Sequence, residues 1–151
     1  MGIKQLAPNK NSKYKQGYFK NAKKYFGPEP IIYRSSLEYK FMINLELNSN
    51  VEKWSSEQIV IPYLMLEKVK GKVTQVRHNY NTDFTVIMKD GKKIIVEIKP
   101  SELVPLKESE IRRTKVNYKN ACKWKSAITW CKQNGYIFKI ITEQHLNGKI
   151  F

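Results

Sequence analysis

The stretch from Thr82 to Lys99 constrains the fold most, because it reads as two strands joined by a tight turn at Asp90-Gly91. The first strand runs from Asp83 to Met88 and the second from Lys93 to Lys99. Side chains alternate along a strand, so Ile94, Val96 and Ile98 share one face while Ile95, Glu97 and Lys99 share the other. The length of the connecting loop then decides where Asp83 points. A two-residue turn pairs Lys89 with Lys92 and turns Asp83 away from Glu97. A three-residue loop, Lys89-Asp90-Gly91, pairs Met88 with Lys92 and sets Asp83 opposite Glu97. Gly91 then supplies the left-handed residue that such a bulged loop needs.

The second register has chemical content. Two carboxylates on neighbouring strands seat a hard divalent cation, which prefers carboxylate and water oxygens. Such an ion polarises a phosphodiester and makes its attacking water more acidic. A nearby ammonium orients that water or stabilises charge building on the phosphate. Asp83, Glu97 and Lys99 are the minimal set. Glu-x-Lys alone reads equally well as an exposed ion pair of little energetic weight. Asp83 gives the pair its meaning.

The bulk composition points the same way. Lysine and arginine number 28 against 13 acids, a formal net charge of +15. That excess favours a polyanion, since neutralising phosphates releases condensed counterions. An apolar fraction of 41% argues against a disordered chain. No apolar run is long enough to span a membrane, and the opening residues lack the apolar stretch of a secretory signal. Cys122 and Cys131 stand nine residues apart on an expected helix, on opposite sides, and read as packing residues rather than a disulfide or zinc pair. No glycine-rich phosphate loop, Cys/His zinc set or serine-nucleophile pattern occurs.

Two segments are expected: a basic arm over residues 1–30 and a folded domain over residues 31–151. Residues 1–28 hold seven lysines and no acid, with Tyr14, Tyr18, Phe19, Tyr25 and Phe26 interleaved. These aromatics suit either stacking on bases or packing on the domain. Gly27-Pro28-Glu29-Pro30 marks the boundary. Ser35 and Glu38 form a capping box, followed by Leu37, Phe41 and Leu45 at four-residue spacing. A strand around Gln58–Ile61 is expected to end at Pro62, and another to run from Val73 to Tyr80. A helix of about twenty residues starts near Ile111, carries Ala121, Trp124, Ile128 and Cys131 as its apolar stripe, and stops at Asn134-Gly135. A last strand covers Tyr136 to Ile141. Along the helix, Arg112, Lys115, Lys119 and Lys123 form a basic stripe that fits a phosphate backbone or a solvated face. His78, five residues before Asp83, reads as structural or as a neighbour of the site. Trp54, Trp124 and Trp130 read as core or core-edge residues. The order of elements implies an α/β protein, a mixed β-sheet flanked by α-helices.

Asp83, a hairpin, and Glu97-Ile98-Lys99 resemble the PD-(D/E)xK motif of restriction-endonuclease-like enzymes. Arg34-Ser35-Ser36-Leu37-Glu38 resembles the start of the TnsA-type subgroup, whose first helix carries a further catalytic glutamate. Phe138-Lys139-Ile140-Ile141-Thr142-Glu143 resembles that subgroup's last core strand. The likeness spans roughly residues 31–145, and the size and opening sequence further resemble the head-completion nucleases of T-even-type tailed phages. Thr82 departs from the motif, which often has proline there.

The resemblance implies a restriction-endonuclease-like fold and a DNA nuclease acting in phage head completion and head-tail joining. By it, Asp83 and Glu97 hold Mg²⁺ (or Mn²⁺), Lys99 assists the attacking water, and Glu38 completes the acidic cluster. DNA is the implied partner, with phage head or portal and neck proteins beside it. The implied location is the cytoplasm of the infected host cell, or the virion. Glu38 has a competing role as the reciprocal member of the capping box. Two rival readings remain at this point: a non-catalytic DNA-binding or head-assembly protein on a degenerate nuclease fold, and a basic RNA-binding protein, which leaves the Asp83, Glu97, Lys99 set without purpose.

Overall fold

The structure, a computed structural model, describes residues 7–111 and 113–147. Its centre is a four-stranded sheet made from β3 (Val51–Ser56), β6 (Phe84–Met88), β7 (Lys93–Ile98) and β8 (Ile137–Ile141), in that spatial order. β3, β6 and β7 run antiparallel, whereas β7 and β8 are parallel. A parallel neighbour requires a long crossover. Here it includes α2 (Glu108–Ile111) and the twenty-residue α3 (Lys115–Asn134).

One face of the sheet packs on α1 (Ser36–Leu47), whose Phe41, Met42 and Leu45 are buried. They meet Phe84, Val86 and Met88 of β6 and Ile94, Val96 and Ile98 of β7, the set that strand alternation assigns to the core. Trp54 lies in the same cluster and is fully buried. α3 packs against a second cluster, formed with a two-stranded ribbon of β4 (Val60–Val69) and β5 (Lys72–Asn81). Among the described residues no helix is long and apolar enough to cross a membrane, and both cysteines are free, with Cys131 buried.

Several local expectations are met. Ser35 caps α1, with its Oγ accepting the Glu38 N–H at 3.1 Å. Gly135 ends α3 in the left-handed conformation, φ 76°. Others are corrected. β3 was not expected, because Val51–Ser56 does not alternate cleanly. β4 does not end at Pro62 but continues through it to Val69; in a two-stranded ribbon a residue without an N–H is tolerated. The long helix begins not near Ile111 but at Lys115, capped by the Thr114 hydroxyl, which accepts the Asn117 N–H at 3.0 Å. Its buried stripe is Asn120, Trp124, Ala127 and Cys131, whereas Ile128 is exposed.

Residues on the N-terminal side of the Gly27–Pro30 boundary pack on the domain. β1 (Gly17–Phe19) pairs with β2 (Ile31–Tyr33), and Phe19 is buried in the main core. The Glu46 carboxylate accepts the Lys23 and Lys24 N–H groups at 2.6 and 3.1 Å and the Trp54 indole N–H at 2.7 Å. One acid on α1 thereby ties the basic segment to the core tryptophan.

Candidate active site

The β6–β7 hairpin adopts the three-residue loop. Met88 N–H donates to Lys92 O at 2.8 Å, Gly91 N–H donates to Met88 O at 3.0 Å, and Gly91 has φ 91°. The ladder runs from Ile87↔Lys93 to Phe84↔Val96, so its next step sets Asp83 opposite Glu97. Both carboxylates therefore leave the sheet on the face opposite the α1 core.

Neighbouring groups fix each side chain. Asp83 Oδ2 accepts the Ile98 N–H at 2.7 Å. Glu97 is buried, and the equally buried Tyr80 hydroxyl donates to its Oε2 in a short hydrogen bond. Lys123 reaches in from α3 with its ammonium 4.6 Å from the centre of the Tyr80 ring. Lys99, half-buried at the end of β7, is joined to β8 through its own N–H, which donates to Ile141 O at 3.0 Å.

The electrostatics mark these groups as one cluster. Burial pushes the Asp83 carboxyl well above the usual carboxylate range, and the charges of Glu97 and Glu38 push it further. Glu38 is raised to about 7, first by burial, with the nearby charges of Glu57 and Glu97 adding to the rise. Burial pulls the Lys123 ammonium down, while Glu97 and Asp83 favour its charged form and Lys99 opposes it. Burial and the Glu97 and Asp83 charges raise the Tyr80 hydroxyl, which keeps it a donor at any working pH. Three acids and two lysines thus act on one another inside a partly desolvated pocket.

Among the described residues, no three histidine, cysteine, aspartate or glutamate side chains converge as a ready-made ligand set. Mg²⁺ does not need one, since it commonly takes one or two carboxylates and keeps several waters. The Asp83 and Glu97 carboxylates offer hard oxygen donors of the kind that could hold Mg²⁺ or Mn²⁺. The mutual repulsion that raises Asp83 is the kind a cation relieves.

The remaining expected residues fall in different places. Glu38 forms only half of the expected capping box: its N–H meets the Ser35 hydroxyl, but its Oε2 accepts the Arg34 N–H at 2.8 Å rather than that of Ser35. Its charge still acts on Asp83. Lys115 and Lys119 are exposed on α3; Arg112 lies outside the described residues. Lys123 turns into the acidic pocket instead of sharing their solvated face. His78 is engaged elsewhere, with Nε2 2.5 Å from Glu67 Oε1 and its ring stacked on Tyr63. Tyr80 was missed by the sequence reading. Its one signal was its place at the end of a strand, three residues before Asp83.

Comparison with known proteins identifies the family. Residues 48–143 match the TnsA-like endonuclease N-terminal family, a span that includes Asp83, Glu97, Lys99 and Lys123 but not Glu38. The head completion nuclease of Enterobacteria phage T4 is 32% identical over 141 residues, covering 85% of this chain and 90% of the relative. With a mixed sheet flanked by helices and the acids brought together by its central hairpin, this chain belongs to the TnsA-like endonuclease family, and is a nuclease of restriction-endonuclease-like fold.

Proposed function

We propose that this protein is a Mg²⁺-dependent DNA nuclease centred on Asp83, Glu97 and Lys99, acting in phage head completion. The observation that carries this reading is the hairpin register, which sets Asp83, partly exposed, opposite buried Glu97 on the face away from the α1 core. When bound, the metal supplies charge neutralisation at the scissile phosphate and a more acidic attacking water.

The protein groups do the rest. Asp83 is aimed by the Ile98 N–H, and Glu97 keeps Oε1 available because Tyr80 occupies Oε2. Lys99 orients the attacking water, and the Lys99 and Lys123 ammonium groups offset charge building on the phosphate. Glu38, raised to about 7 chiefly by burial, completes the acidic cluster through its charge on Asp83. Substrate phosphates are attracted by the net charge of +15. The stage of action is suggested by the name of the T4 relative, a head completion nuclease, and the partners proposed with DNA are phage head or portal and neck proteins.

Plasmid DNA incubated with purified protein and Mg²⁺, with and without EDTA, tests the chemistry. Glu97→Ala and Lys99→Ala should each lower the cutting rate by about 10²–10³ while leaving DNA binding in place. Wild-type protein that retards DNA without cutting it, or cuts equally well after either substitution, refutes the reading.

A further inference from the structure

The β4–β5 ribbon has a construction that the active site does not explain. Its two strands pair along all ten steps, from Val60↔Asn81 to Val69↔Lys72, and they share no ladder with the central sheet. The base of the ribbon is anchored: Ile61, Tyr63, Met65 and Tyr80 are buried against α3, and Tyr118 Oη accepts the Leu66 N–H at 3.2 Å. Beyond Leu66 the ribbon is almost wholly exposed. The tip is a two-residue turn, Lys70-Gly71, with φ 50° and 80°, which fixes the hairpin sharply.

The charge on this projecting part is mostly positive. Lys68, Lys70 and Lys72 are exposed there. Glu67 is the single acid between Ile61 and Tyr80, and it is engaged by His78. Closer to the base, a groove between the ribbon and α3 is lined by Gln75, Arg77, Lys125, Thr129, Trp130 and Gln133, groups that offer cations, amides and a ring to a polyanion. The ribbon also joins the active site directly: Tyr80, the penultimate residue of β5, holds Glu97, and Asp83 lies two residues beyond the strand's last residue, Asn81.

We infer that the β4–β5 ribbon is a duplex-DNA-binding arm, with Lys68, Lys70 and Lys72 on the phosphate backbone at a distance from the cut. This rests on the nuclease reading for the nature of the substrate. A ten-residue antiparallel strand is about 33 Å long, which spans roughly nine or ten base pairs at ~3.4 Å each. A two-stranded ribbon is also of a size the major groove admits. The tip therefore grips backbone well outside the reacting phosphate, and it should contribute to affinity without contributing to chemistry.

The test is fluorescence anisotropy with a labelled 25-base-pair duplex in EDTA, where no cutting interferes, at several salt concentrations. The triple variant Lys68→Gln, Lys70→Gln, Lys72→Gln is compared with wild type and with Lys40→Gln, Lys89→Gln, Lys132→Gln, which removes the same charge from exposed lysines elsewhere. The ribbon variant should bind at least about tenfold more weakly at ~0.1 M salt, with a log–log salt slope shallower by about 2.7, while the control variant stays near wild type. In Mg²⁺ the ribbon variant should show a raised KM with kcat retained. Equal affinity and slope for the ribbon variant and wild type overturn the ribbon assignment but leave the nuclease reading intact; a wild type that binds no duplex sinks both. The outer face also exposes Leu64, Leu66 and Val73. A DNA-free dimer that dissociates on Leu66→Glu, with duplex affinity unmoved by the lysine substitutions, assigns the ribbon to a second copy of the chain and likewise overturns the inference.

Discussion

Replacing Glu38 by glutamine tests the acidic cluster by removing a charge while keeping the shape. The Glu38 carboxyl is raised from 4.5 to about 7, chiefly by burial, with the Arg34 N–H pulling the other way and the Glu57 and Glu97 charges pushing it up. A group whose folded value is raised binds more protons in the folded state than in the unfolded one between those two values. Stability is therefore lost as pH rises from about 4.5 through 7, and the loss is complete above that. At ~1.4 kcal/mol per tenfold change in proton affinity the full effect is about 3 kcal/mol. Glu38 keeps some solvent contact, which screens part of it, so roughly 1–3 kcal/mol is expected. For a chain of 151 residues that corresponds to about 3–10 °C in Tm. The glutamine carbonyl still accepts the Arg34 N–H. In EDTA, the Glu38→Gln variant should melt higher than wild type at pH 8 by this amount and together with it at pH 4, as followed by circular dichroism. A gap of the same size at both pH values, or a wild type that is the more stable at pH 8, refutes the reasoning.

Tyr80→Phe removes the donor to buried Glu97 and should cost about 1.5–3 kcal/mol of stability; if Tyr80 also positions Glu97, Mn²⁺ affinity by titration calorimetry should fall about 10–100-fold. Gly91→Val forces a branched residue into φ 91° and should cost roughly 1–3 kcal/mol in urea melts. Glu46→Ala deletes the acceptor for the Lys23 and Lys24 N–H groups and the Trp54 indole, so trypsin should cut at Lys23 or Lys24 several-fold faster; an unchanged cleavage rate would show that β1 alone seats the segment.

Much of the fold was legible where one local rule governs. The Ser35 cap and the Gly135 stop depend on backbone chemistry within a few residues and were readable, whereas the bulged form of the hairpin followed only from requiring Asp83 to face Glu97. The alternation of Ile94, Val96 and Ile98 likewise named the core face. Elements whose stability comes from distant partners were not readable. β3 is held by its pairing with β6 and by Trp54, which packs among Phe19, Tyr25 and Phe84 from three separate segments. Ile128 has the right spacing for the α3 stripe but is exposed, because the buried stripe runs through Asn120 and Ala127, each one residue before the expected Ala121 and Ile128. The candidate site divides in the same way. Asp83 and Glu97 were legible through strand register, whereas the positions of Tyr80 and Lys123 depend on how the ribbon and α3 meet the sheet.

That division has a physical reason rooted in the hairpin. A buried face of Phe84, Val86, Met88, Ile94, Val96 and Ile98 holds the register, because a slip of one residue would send the three from one strand to the opposite side. The opposite face can then carry groups that oppose folding: two carboxylates side by side, one of them buried, with a third close enough to raise Asp83. Such a face would not hold itself together, since like charges on neighbouring strands repel. Its partial compensation comes from outside the sheet, through the Tyr80 hydroxyl of the ribbon and the Lys123 ammonium of α3. The core face therefore supplies the stability and the outlying elements supply the compensation, and the acids stay crowded and incompletely neutralised, which is the state in which a cation and a phosphate have most to add.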